Sequence, residues 1–193
     1  MSAAVVDASF GSFFRLGVEH IFTGYDHLLF LLGLLVVCTR WRSVALIVTA
    51  FTLGHSLTLG LATLDQVNLP GGLTEPLIAL TILWVGLENL WRRGVEPTGR
   101  WAITVLFGLI HGFGFATVLR DLGVGTGSGS IVKTLLAFNL GVELGQLFFA
   151  ACVLPLLWWA RRSPIFVSRG IPVLSALVAI AGFYWLVERL LLG

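Results

Sequence analysis

Charge is what this chain has least of: 11% of its 193 residues are Asp, Glu, Lys or Arg, against about a quarter in a soluble domain. Hydrophobic residues make up 57%, so water is not the solvent for most of the folded surface. The few basic residues leave a net charge of +2 and no extended positive face, which argues against a nucleic-acid partner. Cysteine is nearly absent as well. Cys38 and Cys152 fall near expected membrane ends on an Arg-rich side, which speaks against a disulfide, and they read as small apolar residues. Met1 to Ser12 has no basic segment leading into an apolar core and a small-residue cleavage site, so no cleaved signal peptide is expected. No nucleotide-binding motif occurs.

What is abundant is long apolar sequence cut by Arg, Gly and Pro. A helical span needs about 20 apolar residues, and six of them with short connectors use nearly the whole chain. The expectation is an all-α, polytopic membrane bundle of about six transmembrane helices in one domain, residues 1–193, with spans near 17–38, 43–63, 73–91, 101–119, 131–159 and 172–192. Phe10, Phe13 and Phe14 beside Arg15 suggest a short interfacial helix ahead of the first span. The connector from Arg120 to Ser130 is rich in Gly and Ser and is expected to be flexible.

Arginine also orients the bundle. Arg40, Arg42, Arg92, Arg93, Arg100, Arg161, Arg162 and Arg169 lie on one side, and only Arg15, Arg120, Lys133 and Arg189 on the other. By the positive-inside rule the first set is cytoplasmic and both termini face outward. Trp41, Trp91, Trp101, Trp158 and Trp159 cluster at the same ends, where an indole keeps its N–H among headgroups. Phe51, Leu53 and His55 match Phe107, Leu109 and His111, but three identities in an apolar background do not establish a repeat.

Against that background the polar residues within spans stand out, since each ionisable group costs about 2.5 to 3.5 kcal/mol to insert and requires a partner. All four histidines, His20, His27, His55 and His111, fall in expected spans, as do Glu19, Asp26, Glu75, Glu88 and Glu143. At about 1.5 Å per residue, His27, His55, His111, Glu143 and Asn139 sit near mid-depth, and His20 lies closer to the surface. His20, Thr23 and His27 share a helical face; Asn139, Glu143 and Gln146 repeat that spacing. Gly24, Gly54, Ser56, Gly112 and Gly114 flank the histidines and permit close helix approach. Imidazole and carboxylate suit Ni, Co or Zn. The candidate metal ligands are His20, Asp26, His27, His55, His111 and Glu143, with Thr23, Glu75, Asn139 and Gln146 in support. The alternative use of the same groups is interhelical hydrogen bonding. No residue is assigned a catalytic role.

The segment His20-Ile-Phe-Thr-Gly-Tyr-Asp-His27, followed by Leu28 and Leu29, resembles the opening signature of the HupE/UreJ family of small membrane proteins. Leu109-Ile-His-Gly-Phe-Gly-Phe-Ala116 is similar to its second signature, and Gly-His-Ser-Leu-Thr-Leu around His55 to the segment between them. Phe22 stands where many permease-type members carry Pro, which places the likeness closer to the divergent second branch. The resemblance implies a nickel or cobalt permease.

Three functions are therefore weighed. The first is a permease or channel for a divalent transition metal in a bacterial cytoplasmic membrane, with the lipid bilayer as its surroundings and a homo-oligomer or a membrane partner allowed. The second is an intramembrane Zn enzyme, although no His-Glu-x-x-His pair occurs. The third is a metal-binding scaffold within a larger assembly.

Overall fold

The computed structural model describes residues 9–122, 124 and 130–191. Among these residues there are helices and no strands. In chain order they are α1 (Phe10–Thr23), α2 (Tyr25–Leu35), α3 (Trp41–Thr63), α4 (Gly71–Trp91), α5 (Arg100–Gly112), a 3₁₀ turn (Phe113–Phe115), α6 (Ala116–Asp121), α7 (Ile131–Ala160), a π-helical turn (Phe166–Gly170) and α8 (Ile171–Leu191). Trp41–Thr63, Gly71–Trp91, Arg100–Asp121, Ile131–Ala160 and Phe166–Leu191 are long and apolar enough to cross a membrane. Leu46, Leu57, Leu144, Phe148, Leu177 and Phe183 are among the large apolar side chains left exposed, as lipid-facing positions are. The chain is a helical membrane bundle. Most of the flexible connector expected at 120–130 lies outside the described residues.

The first expected span differs from a single helix. Residues 17–38 are divided at Gly24, and the segment read as a separate interfacial helix is continuous with α1. Gly24 is extended, with φ −82° and ψ 94°, and serves both as C-cap of α1 and N-cap of α2. A Cβ there would lie 2.8 Å from His27 Nδ1 and 3.0 Å from His20 O, so the close turn requires glycine. Alone, α2 rises only about 16 Å, roughly half the hydrocarbon thickness. Broken helices are tolerated at membrane depth only where the freed backbone is buried or lines a cavity, and this break sits between two of the four histidines.

Three helix pairs surround α2, each closed by reciprocal glycines. In α1 and α7, a Cβ on Gly17 would overlap Phe138 O and one on Gly141 would overlap Phe14 O. The same exchange joins α3 to α5, where Gly54 rests on Val105 O and Gly108 on Phe51 O, and α4 to α8, where Gly86 and Gly182 rest on Ala179 and Leu83. Without a hydrophobic drive between helices in lipid, such backbone approach supplies the packing. The first two pairs are parallel, because rising residue numbers in one helix meet rising numbers in the other.

These seams carry a sequence repeat. Phe14-Arg-Leu-Gly-Val-Glu19 and Phe138-Asn-Leu-Gly-Val-Glu143 agree at five of six positions, and Phe51-Thr-Leu-Gly54 shares their first, third and fourth residues. Each contributes the glycine of a parallel seam. In α3 and α5 the packing equates Gly54 with Gly108 and so His55 with Leu109; the sequence match of His55 with His111 is therefore not the structural equivalence.

Candidate metal centre

The three pairs and the broken helix bring the four histidines together. One ring nitrogen from each of His20, His27 and His55 lies within 4.8 Å of the others. The His20 and His27 rings are 4.5 Å apart, His20 and His55 6.0 Å. His111 lies beside this trio, with its ring 5.1 Å from that of His27. His20, expected nearer the surface, is thus part of the cluster. The turn at Gly24 lifts it onto His27.

Hydrogen bonds decide which nitrogen of each imidazole carries the proton. Asn139 Nδ2 donates to Leu135 O at 2.8 Å, which orients the amide so that Oδ1 faces His55 Nδ1 at 3.1 Å. The amide oxygen only accepts, so His55 Nδ1 is protonated and Nε2 keeps its lone pair. Asp26 Oδ1 stands 3.1 Å from His27 Nδ1, with the same result for His27. Thr81 spends its single hydroxyl proton on Ile78 O, 2.7 Å away, and must accept from His111 Nε2 at 2.9 Å. His111 Nδ1 is then the bare nitrogen. These assignments follow from the network of partners. His20 Nε2, His27 Nε2, His55 Nε2 and His111 Nδ1 are all buried without a hydrogen-bond partner. Leaving a buried polar atom unpaired costs about 1–3 kcal/mol, and such atoms on three histidines whose ring nitrogens lie within 4.8 Å of one another, with His111 beside them, point to a ligand that takes lone pairs. A metal ion does so, and partners that fix the tautomer from behind are its usual accompaniment.

The carboxylates are placed differently from the histidines. Asp26 is 3.1 Å behind His27 and its second oxygen faces Arg189 at 3.4 Å, so in this structure it orients an imidazole. Glu143, expected among the ligands, accepts from Thr49 Oγ1 at 2.7 Å and is not in the grouped donors. It follows Asn139 by one helical turn on the same face of α7, which places it about 6 Å further along the seam between α3 and α7, at Thr49. Gln146 Oε1 accepts from Thr52 at 3.4 Å on the same seam. Thr23 Oγ1 turns back to Glu19 O.

A cavity of about 330 Å³ reaches the cluster, lined in part by His20, Asp26, His27, Glu75, His111 and Arg189. Glu75, with its side chain 62% exposed, stands at the mouth. On the opposite side the rings of Phe30, Phe51 and Phe107 form a floor, with Phe30 5.5 Å from Phe51 and 5.8 Å from Phe107. Below it lies Arg100, 3% exposed, bonded to Asn89 at 2.9 Å and 3.6 Å from Glu88. The sequence counts it among the arginines of the Arg-rich side. Glu88 also pairs with Arg92 at 3.2 Å, as their spacing predicts.

Sequence reasoning missed two contributors. Thr81 is an isolated hydroxyl in an apolar span, and only its contact with His111 gives it meaning. Arg189 reads as an interfacial charge beside Glu188, whereas it lines the cavity.

Comparison with curated proteins and with solved structures gave no match. A family model described as HupE / UreJ protein matches residues 1–189, which covers α1 through nearly all of α8 with every histidine of the cluster, and the chain belongs to that family.

Proposed function

We propose that the protein is a permease that binds a divalent transition metal at His20, His27, His55 and His111 and passes it across the bacterial cytoplasmic membrane. The observation that carries this reading is the trio His20, His27 and His55, whose ring nitrogens lie within 4.8 Å of one another, with His111 beside His27, a buried and unpartnered nitrogen on each of the four, and a cavity with an acidic mouth that reaches them. Family membership favours nickel or cobalt as cargo; the donor set also suits zinc. The Arg-rich face is cytoplasmic, both termini are outside, and the cavity opens outward. A dication then gains about 4.6 kcal/mol per 100 mV on moving inward. The aromatic floor closes the inner side in this conformation, so release requires the helix pairs to shift against α2. Asp26 would approach the ion once it is bound, and Glu143 would serve a later step along the α3–α7 seam.

One observation favours a second reading, a Zn enzyme: three grouped imidazoles beside an open cavity leave a coordination position for water. Reconstitution separates the two. Liposomes carrying the protein and an enclosed metal indicator should take up Co²⁺ or Ni²⁺, and His27→Ala should abolish uptake. Stoichiometric binding without flux would end the permease reading and leave the enzyme or the scaffold. Cysteines placed at Gln66 and Pro97 test orientation, since labelling of the second but not the first from intact cells contradicts it.

A further inference from the structure

Two carboxylates at the cavity mouth share one guanidinium. Arg189, in the last turn of α8, places Nη2 3.4 Å from Asp26 Oδ2, donates from Nη1 to Glu75 O at 3.0 Å, and holds Nε 4.0 Å from Glu75 Oε2. The Trp185 ring lies 5.7 Å from its Cζ. The side chain is largely buried and lines the same cavity as His20, His27 and His111. A guanidinium does not deprotonate in proteins, so a permanent cation lines the cavity that reaches the histidines.

We propose that Arg189 is a tethered counter-cation, which occupies Asp26 until an arriving divalent metal displaces it and so sets the affinity and selectivity of the site. This rests on the metal reading above. A monovalent ion offers Asp26 nothing that Arg189 does not already supply, whereas a dication exchanges one charge for two and also collects the imidazoles. Glu75 provides the displaced guanidinium with a second carboxylate within reach. The exchange then loosens the tie between α8 and α2, coupling metal arrival to the one short helix enclosed by the three pairs.

The test is titration of Co²⁺ into purified full-length protein in lipid nanodiscs, read by its visible absorption. Arg189→Gln should tighten binding about tenfold or more, because Asp26 is no longer shared with a guanidinium. Arg189→Lys keeps the charge and should stay within about threefold of wild type. In an Asp26→Asn background the gain from Arg189→Gln should shrink, since competition for Asp26 is its source. Should Arg189→Gln fail to fold, Glu75→Gln serves: with Glu75 neutral, Arg189 is committed to Asp26 and Co²⁺ binding weakens. Unchanged or weaker binding by Arg189→Gln, or unchanged binding by Glu75→Gln, overturns the proposal while wild-type binding leaves the metal reading standing. Absence of Co²⁺ binding by both wild type and Arg189→Gln overturns the two together.

Discussion

Replacing Asn139 by Leu should weaken metal binding without changing the shape of the site. The substitution is nearly isosteric and removes the acceptor 3.1 Å from His55 Nδ1. His55 is fully buried, so its N–H is left unsatisfied at a cost of about 1–3 kcal/mol. The proton is also no longer held on Nδ1 and can move to Nε2, the nitrogen the metal needs. Loss of a tautomer-fixing partner typically costs about 10–100-fold in metal affinity, or about 1.4–2.8 kcal/mol, the same size as the desolvation penalty. The assay pairs Co²⁺ titration with thermal unfolding in the same nanodiscs. The expected result is a loss of affinity of about 10–100-fold with a folded protein. A chain that unfolds earlier but binds Co²⁺ as wild type does would refute the tautomer reasoning and leave Asn139 as an interhelical tie.

The remaining predictions address other parts of the site and scaffold. Thr81→Val removes the acceptor for His111 Nε2 and should also weaken Co²⁺ binding about tenfold or more; equal affinity would show that His111 stands outside the coordination set. Imidazole ligates only when neutral, so several protons compete with one ion, and Co²⁺ affinity should fall as pH is lowered. An affinity independent of pH in a series of Co²⁺ titrations would remove the imidazoles from the coordination set. Gly86→Ala puts a Cβ 2.5 Å from Ala179 N and should destabilise the α4–α8 pair by about 1–3 kcal/mol. Gly72→Ala meets nothing within 4 Å and should be neutral or stabilising by up to about 1 kcal/mol. Equal melting of the two variants would contradict the reciprocal-glycine account.

Much of this protein was legible before any coordinates, for reasons tied to particular residues. Low charge and long apolar runs admit only a membrane bundle, because backbone polar groups in lipid must pair within helices. Four histidines in such runs mark the functional region, since ionisable groups at that depth require partners. The resemblance around His20 to His27 pointed to the family that the match over residues 1–189 shows. The seam repeat Phe14–Glu19 and Phe138–Glu143 was also present in the sequence, and it went unread because its meaning depends on two helices that meet far apart in the chain.

What the tertiary structure decided was direction and distance. Helical spacing groups Asp26 with His27 on the chain, but only the fold shows the carboxylate behind the ring, shared with Arg189. Spacing likewise placed Glu143 among the ligands; Asn139 and Glu143 share a face of α7, and only the packing of α7 on α3 shows that His55 stands at the level of Asn139 while Glu143, one turn further on, meets Thr49. The break at Gly24 was hidden because glycine within a membrane span is common, and whether it bends the helix depends on what a Cβ would strike. Composition and periodicity act locally and survive in the sequence. The tautomers, the shared guanidinium and the glycine seams arise from residues that meet only after the helices pack.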